Sequence, residues 1–197
     1  MNNSIADTTQ YLTFKLEEEV FATDIAQVRE VLEYSRVTKV PRTPDYMRGV
    51  INLRGHVVPV LDLKLRFGMN RTEQTVNTCV IIVEVSILGE KTIIGALADS
   101  VQEVIDMDAS TIEPAPKIGS KLNTNFIRGM GKRDEMFVII LDIDKVFSAD
   151  DLEAAAGATT GETSQLPLGG GALALSAARS LETQVSRTSG VTGLGRW

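Results

Sequence analysis

Side chains able to do covalent or metal chemistry are few in this chain. One histidine, His56, and one cysteine, Cys79, occur in 197 residues. A triad with a histidine base would have to use His56, and no G-x-S-x-G element accompanies it. Zinc sites combine several Cys and His ligands, and one of each is too few. Cys79 sits in the apolar run VNTCVIIVEV and reads as an inert buried thiol; being alone, it excludes an intrachain disulfide. There is no G-x-x-x-x-G-K-[ST] loop, and Gly129-Met130-Gly131 is a bare G-x-G without a helix start after it. Asp62 and Asp142 each end an apolar run, 80 residues apart. Paired carboxylates serve acid–base catalysis. A carboxylate at a strand end also caps local backbone N–H groups, and that structural reading is the one taken. The inventory falls short of the convergent set a catalyst needs. The expectation is no catalytic residue, no metal and no cofactor, with a small hydrolase using His56 and a nearby Asp as the remote alternative.

The elements that would position these groups are duplicated. Tyr46–Leu63, YMRGVINLRGHVVPVLDL, runs up to a turn at Asn52-Leu53-Arg54-Gly55 and returns through Val57–Leu63. Phe126-Ile127-Arg128-Gly129 repeats Tyr46-Met47-Arg48-Gly49, and Val138–Ile143 repeats Val58–Leu63, both 80 residues later. Val101-Gln102-Glu103-Val104 repeats Val28-Arg29-Glu30-Val31 at an offset of 73, because the second copy carries seven more residues between V-x-E-V and R-G. Proline-bearing segments follow V-x-E-V in both copies, at Pro41/Pro44 and Pro114/Pro116.

Alternation predicts strands at Leu12–Leu16, Val20–Ile25, Val28–Tyr34, Val50–Leu53 and Val57–Val60 in the first copy. The second copy offers Cys79–Val85, Thr92–Leu97 and Val138–Leu141. Glu17–Glu19 reads as a hairpin turn lacking Gly, Ile25–Gln27 as a short turn, and Asp45–Arg48 as one helical turn. Pro59 predicts an edge strand or a bulge. The tips diverge: Asn52–His56 in one copy, Gly131-Lys132-Arg133-Asp134-Glu135 in the other. A purely structural turn could take either sequence, but the first tip keeps a Leu and an Arg beside a Gly, a more specific surface than a charged hairpin end.

Residues 1–10 are expected to be frayed, and Ala149–Ala156 to form a short helix capped by Ser148. From Gly157 the chain turns to Gly, Ser, Thr and Ala, and 154–197 is expected to be largely disordered, with a fragile amphipathic helix over Leu173–Leu181. A body of about 150 residues buries roughly 68–70% of its unfolded surface and needs no staple. Net charge is −6, with no Lys/Arg runs and 5% aromatic residues, which argues against nucleic acid. No basic-then-apolar leader opens the chain and no apolar stretch reaches about 18 residues, so a soluble cytoplasmic protein is expected, with no membrane insertion.

The V-R-E-V of Glu30, the R-G-V-I-N-L-R-G-H-V-V-P-V-L-D-L block and I-x-P-A-P at Ile112–Pro116 together resemble the CheW family of bacterial chemotaxis coupling proteins. The resemblance covers about 11–153. It implies an all-β fold of two five-stranded SH3-like barrels that exchange strands, followed by a short C-terminal helix. It implies a non-enzymatic adaptor that bridges chemoreceptor cytoplasmic tips to the regulatory domain of a CheA-type histidine kinase. Pairing with other CheW-like domains in rings, and recruitment to membrane-associated receptor arrays, follow from the same resemblance. An adaptor in a parallel chemosensory pathway, controlling twitching, gliding or development, fits equally. By position, Val28, Arg54, Gly55 and Val104 match receptor-contact positions, and Glu30 and Gly49 match kinase-contact positions. Glu33 departs from the family's glycine after V-x-E-I-x, as does the long tail after 157 from the family's usual ending.

Overall fold

The computed structural model describes residues 8–115, 124–133 and 136–147. The expected helix at 149–156, the 154–197 tail, Pro116 and the Asp134-Glu135 end of the second tip lie outside them. Eleven strands are described: β1 (Thr8–Leu16), β2 (Glu19–Asp24), β3 (Val28–Glu33), β4 (Met47–Leu53), β5 (His56–Asp62), β6 (Cys79–Ile87), β7 (Glu90–Ala98), β8 (Ser100–Asp108), β9 (Ile112–Glu113), β10 (Ile127–Arg133) and β11 (Met136–Leu141). Two single-turn helices, α1 (Leu63–Arg66) and α2 (Ile143–Val146), follow β5 and β11.

One sheet has the order β8-β1-β2-β11-β10-β9, the other β3-β6-β7-β5-β4. Each curls into an SH3-like barrel, and each mixes the two sequence copies. The first two strands of one copy join the later strands of the other: β6 and β7 join β3, β4 and β5 in five strands, as expected, whereas β1 and β2 join β8, β10, β11 and the two-residue β9, which makes six. Register repeats with the sequence: Ala22 lies beside Ile140 in the parallel β2–β11 pair, and Gly95 beside Val60 in the parallel β5–β7 pair. The chain crosses between barrels at the 3-10 turn Ile25–Gln27, where the Asp24 side chain accepts the Ala26 N–H, and again at Asp99 between β7 and β8. The exchange of strands is as expected. We call the β1-containing sheet the first barrel and the β6-containing sheet the second.

Alternation along the strands explains three cores. Tyr11, Ala22, Ile105, Met107, Val138 and Ile140 fill the first barrel. Val58, Val60, Val80, Ile82 and Leu97 fill the second. Their neighbours, such as Leu12, Phe14, Phe21, Ile81, Val83, Ile139 and Leu141, point the other way into a core shared by both barrels. Among the described residues the shared core holds 21 buried side chains against six and five inside the barrels. Each fully buried Leu, Ile or Phe contributes about 1.5–3 kcal/mol, so the barrels hold together as one cooperative body. At their junction Arg66 stacks between Tyr46 (4.8 Å) and Phe126 (5.7 Å), which occupy equivalent places in the two copies.

Several local expectations shift. β1 starts at Thr8, so Thr8–Gln10 are strand and not frayed end. Asp45–Arg48 is no helical turn, since β4 begins at Met47. Pro59 is on neither an edge nor a bulge: β5 runs between β7 and β4, and Pro59 pairs with Val50. Its missing N–H is tolerated because the parallel ladder to β7 begins one residue later, at Val60. The Glu17-Glu18 turn lacks glycine, as read, and Glu17 takes the left-handed conformation itself (φ 56°). Glu33, where a glycine was looked for, ends β3 paired with Cys79.

Candidate functional site

The β4–β5 hairpin closes through Arg54-Gly55, with φ of 53° and 91°. A two-residue turn with both central φ positive is the type that matches strand twist. Gly55 is ordinary there and arginine is not, since a side chain in the left-handed region is crowded. Asn52 fixes the turn, its Oδ1 accepting the Gly55 N–H at 2.8 Å. The Arg54 side chain is thrown outward, 79% exposed, and Nη2 reaches Glu30 Oε2 at 3.0 Å. Such exposed pairs contribute roughly 0–1 kcal/mol. The pair therefore orients Arg54 more than it stabilises the barrel, and it leaves the guanidinium open to a partner's carboxylate.

The six residues singled out from the sequence fall into three settings. Arg54, Gly55 and Glu30 stand together at the tip, although they were assigned to two different partners. Val28 is 3% exposed and belongs to the shared core, where half-buried Val104 packs against it from the other barrel's side. Gly49 is buried with φ 134°, at the bulge where β4 meets Thr38. A Cβ there would overlap the Thr38 carbonyl and the Val37 side chain. Thr38 and Val50 exchange backbone hydrogen bonds of 2.9 and 2.8 Å at that place. The demand on Gly49 is steric, and any effect on a partner runs through the position of Thr38 and β4.

Sequence reasoning missed a second tip pair. Arg133, at the end of β10, meets Glu103 of the second V-x-E-V at 2.8 Å, with the side chains 44% and 53% exposed. The signal was present in the repeated Glu30/Glu103 and in the Lys132-Arg133 tip. The reverse holds for the shared R-G and L-D elements. Asp62 is fully buried and accepts from Arg48 Nη1 (2.8 Å), Thr72 Oγ1 (2.8 Å), the Thr72 N–H (3.0 Å) and the Lys64 N–H (3.1 Å). Capping was the expected role and it holds at Asp62. Asp142 makes no side-chain cap bond and pairs instead with Lys145. Arg128, the counterpart of Arg48, sits 3.9 Å from Asp24 and is 57% exposed.

Around the mouth of the second barrel the charges interlock. Glu84 pairs with Lys91 at 2.8 Å and also with Arg29. The Lys91 hydrogen bond, then that of Arg29, holds the Glu84 carboxyl below its ordinary value of 4.5. His56 is exposed at the start of β5. Cys79 is buried, and burial pushes its thiol up to about 12, which removes it as a nucleophile near neutral pH. Among the described residues no helix is long and apolar enough to cross a membrane.

Twin barrels that exchange strands, with ion-paired hairpin tips on the surface, define a β-sheet protein built to present surfaces. Residues 10–151 match the model of the CheW-like domain. The chain is 34% identical over 143 residues to the chemotaxis protein CheW of Klebsiella aerogenes, covering 73% of this chain and 84% of that protein. It is 32% identical to the probable chemotaxis protein CheW of Rhizobium etli, covering 74% and 92%. Among solved structures, the scaffolding protein TtCheW of Thermoanaerobacter tengcongensis superimposes with a TM-score of 0.65 at 36% identity, covering 77% of this chain and 95% of that one. The chain belongs to the CheW family.

Proposed function

We propose that this protein is a non-enzymatic chemotaxis adaptor that couples the cytoplasmic tips of chemoreceptors to a CheA-type histidine kinase. The observation that carries the reading is the exposed Arg54, held at the β4–β5 tip by Glu30 in a chain whose residues 10–151 match the CheW-like domain. Arg54 and Gly55 form the receptor-side contact, with Val28 and Val104 shaping the apolar junction beside it. An amphipathic receptor helix would lay its apolar face along that junction. Glu30 and the Gly49 region face the kinase side, so the ion pair links the two contacts. A receptor state is passed on only to the extent that it binds this surface with different affinity. The protein acts in the cytoplasm, at membrane-associated receptor arrays, and takes its place in rings of like barrels.

The test is pull-down with a receptor signalling tip and with a CheA regulatory domain, followed by kinase assays in a reconstituted array. Arg54→Ala is expected to weaken receptor-dependent kinase activation while the folded fraction stays unchanged. Activation equal to that of the unsubstituted chain removes Arg54 from the contact. Failure to bind either partner removes the adaptor reading.

A further inference from the structure

The β6–β7 hairpin repeats the backbone of the Arg54 tip with a different side chain on it. Its turn is Leu88-Gly89, with φ of 52° and 85°. Leucine has neither reason to be there: the first position of this turn favours Asn, Asp or Gly, and the left-handed region penalises a larger side chain. The side chain gains nothing inside the protein, because Leu88 is 89% exposed. A single exposed leucine is ordinary, but one held in a strained backbone conformation that no packing imposes is an outlier of the kind that points to function.

Topology sets this turn next to the Arg54 tip. β5 and β7 are parallel neighbours, with Val60 beside Gly95. The turns that precede them, Arg54-Gly55 and Leu88-Gly89, therefore lie at the same end of the second barrel. Carried down the strands, that register sets His56 level with Lys91 and the Leu88 turn one residue farther out. The hairpin centres are two strand spacings apart, about 10 Å. The same end holds Arg29, Arg54 and Lys91 against Glu30 and Glu84. Glu90, beside the turn, and Asp144, which accepts the Ser86 N–H at 2.8 Å, bring further carboxylates to this end, and Arg54, 79% exposed, is the cation it offers most openly.

We propose that Leu88 is the apolar anchor of the surface that carries Arg54. The leucine seats in a depression of a helical protein segment, and Arg54 takes a carboxylate of the same segment. The inference rests on the receptor-coupling reading and adds to it the partner's chemistry, an acidic group and an apolar notch about 10 Å apart.

Titrating the full chain with a purified receptor signalling-tip fragment, and separately with the kinase regulatory domain, tests it. Leu88→Asn installs a residue the turn prefers, so the melting temperature is expected to hold or rise. Affinity for the receptor tip is expected to fall about tenfold or more, since a buried leucine is exchanged for a polar group. A tip affinity within twofold of the unsubstituted chain overturns the inference, as does a loss confined to the kinase domain. If Arg54→Ala weakens tip binding and Leu88→Asn does not, the receptor reading stands and this inference alone fails. If the unsubstituted chain does not bind the tip at all, the receptor reading fails and takes the inference with it.

Discussion

The two copies of the repeat use equal residues unequally. Arg48 and Asp62 form a buried ion pair, while their counterparts Arg128 and Asp142 turn away from each other to Asp24 and Lys145. Thr72, returned by the loop after α1, supplies its N–H and hydroxyl to Asp62 and its carbonyl to Arg48. The tips behave oppositely: Arg54 and Arg133 occupy unlike sequences, yet both pair with the V-x-E-V glutamate. What decides a residue's role here is the segment that packs over it, more than the motif that contains it.

The largest expected effect tests the buried pair. Asp62→Ala leaves Arg48 uncompensated and unties Thr72, which costs about 3–5 kcal/mol. Asp142→Ala removes a surface partner and costs about 1 kcal/mol or less. Urea denaturation of both variants reads the difference. Equal losses would mean that the two aspartates are interchangeable barrel parts after all.

Next come the bulge glycines. Gly49 and Gly129 hold equivalent places, but only Gly49 has positive φ, 134°. An added Cβ at Gly49 meets the Thr38 carbonyl, and at Gly129 the Ile112 side chain together with the Glu113 carbonyl. Both substitutions to Ala strain the sheet, and Gly49→Ala is expected to cost more by about 1–2 kcal/mol, the penalty of the left-handed backbone. Melting of the two variants checks it, and a costlier Gly129→Ala would show that backbone conformation is not what sets Gly49 apart.

The architecture was legible in the sequence because the repeat offsets of 80 and 73 residues survive as strand register in both barrels. Exchange of strands was not derivable from pattern alone, because alternation shows which face is apolar and not which partner covers it. It entered through the family resemblance. Pro59 misled for a related reason: whether a missing N–H matters depends on where the neighbouring ladder begins, which is a long-range fact. At the site, Arg54-Gly55 was visible as a turn, whereas the Glu30 contact joins residues 24 positions apart on strands at opposite edges of one sheet. Leu88 could not be singled out in the same way, since left-handed φ at a leucine has no sequence signature.

The tip pairs themselves are expected to be weak. Double-mutant cycles on Arg54/Glu30 and on Arg133/Glu103 should each return about 0.2–1 kcal/mol of coupling to stability. Only the Arg54 cycle should change receptor-dependent activation. An equal loss of activation at both tips would make the first barrel's tip a second functional face.

The smallest effect separates the barrel mouths. Glu84 in β6 is matched in β1 by Lys15, so the two barrels carry opposite charge at that place. Lys91 and Arg29 lower the Glu84 carboxyl in the folded protein. A group with a depressed folded value stabilises above its unfolded value, and that contribution disappears as pH falls through the folded one. Glu84→Gln should therefore be less stable than the unsubstituted chain at neutral pH. The gap should close as pH drops from near the ordinary glutamate value of 4.5 to below it. Because Glu84 is a partly exposed surface partner, salt should shrink the gap as well. Lys15→Gln, which removes no carboxylate, should show no such closing. If the Glu84→Gln gap is flat from neutral to acid pH, the ion pairs around Glu84 contribute nothing to the folded state, and the mouths differ in sign of charge only.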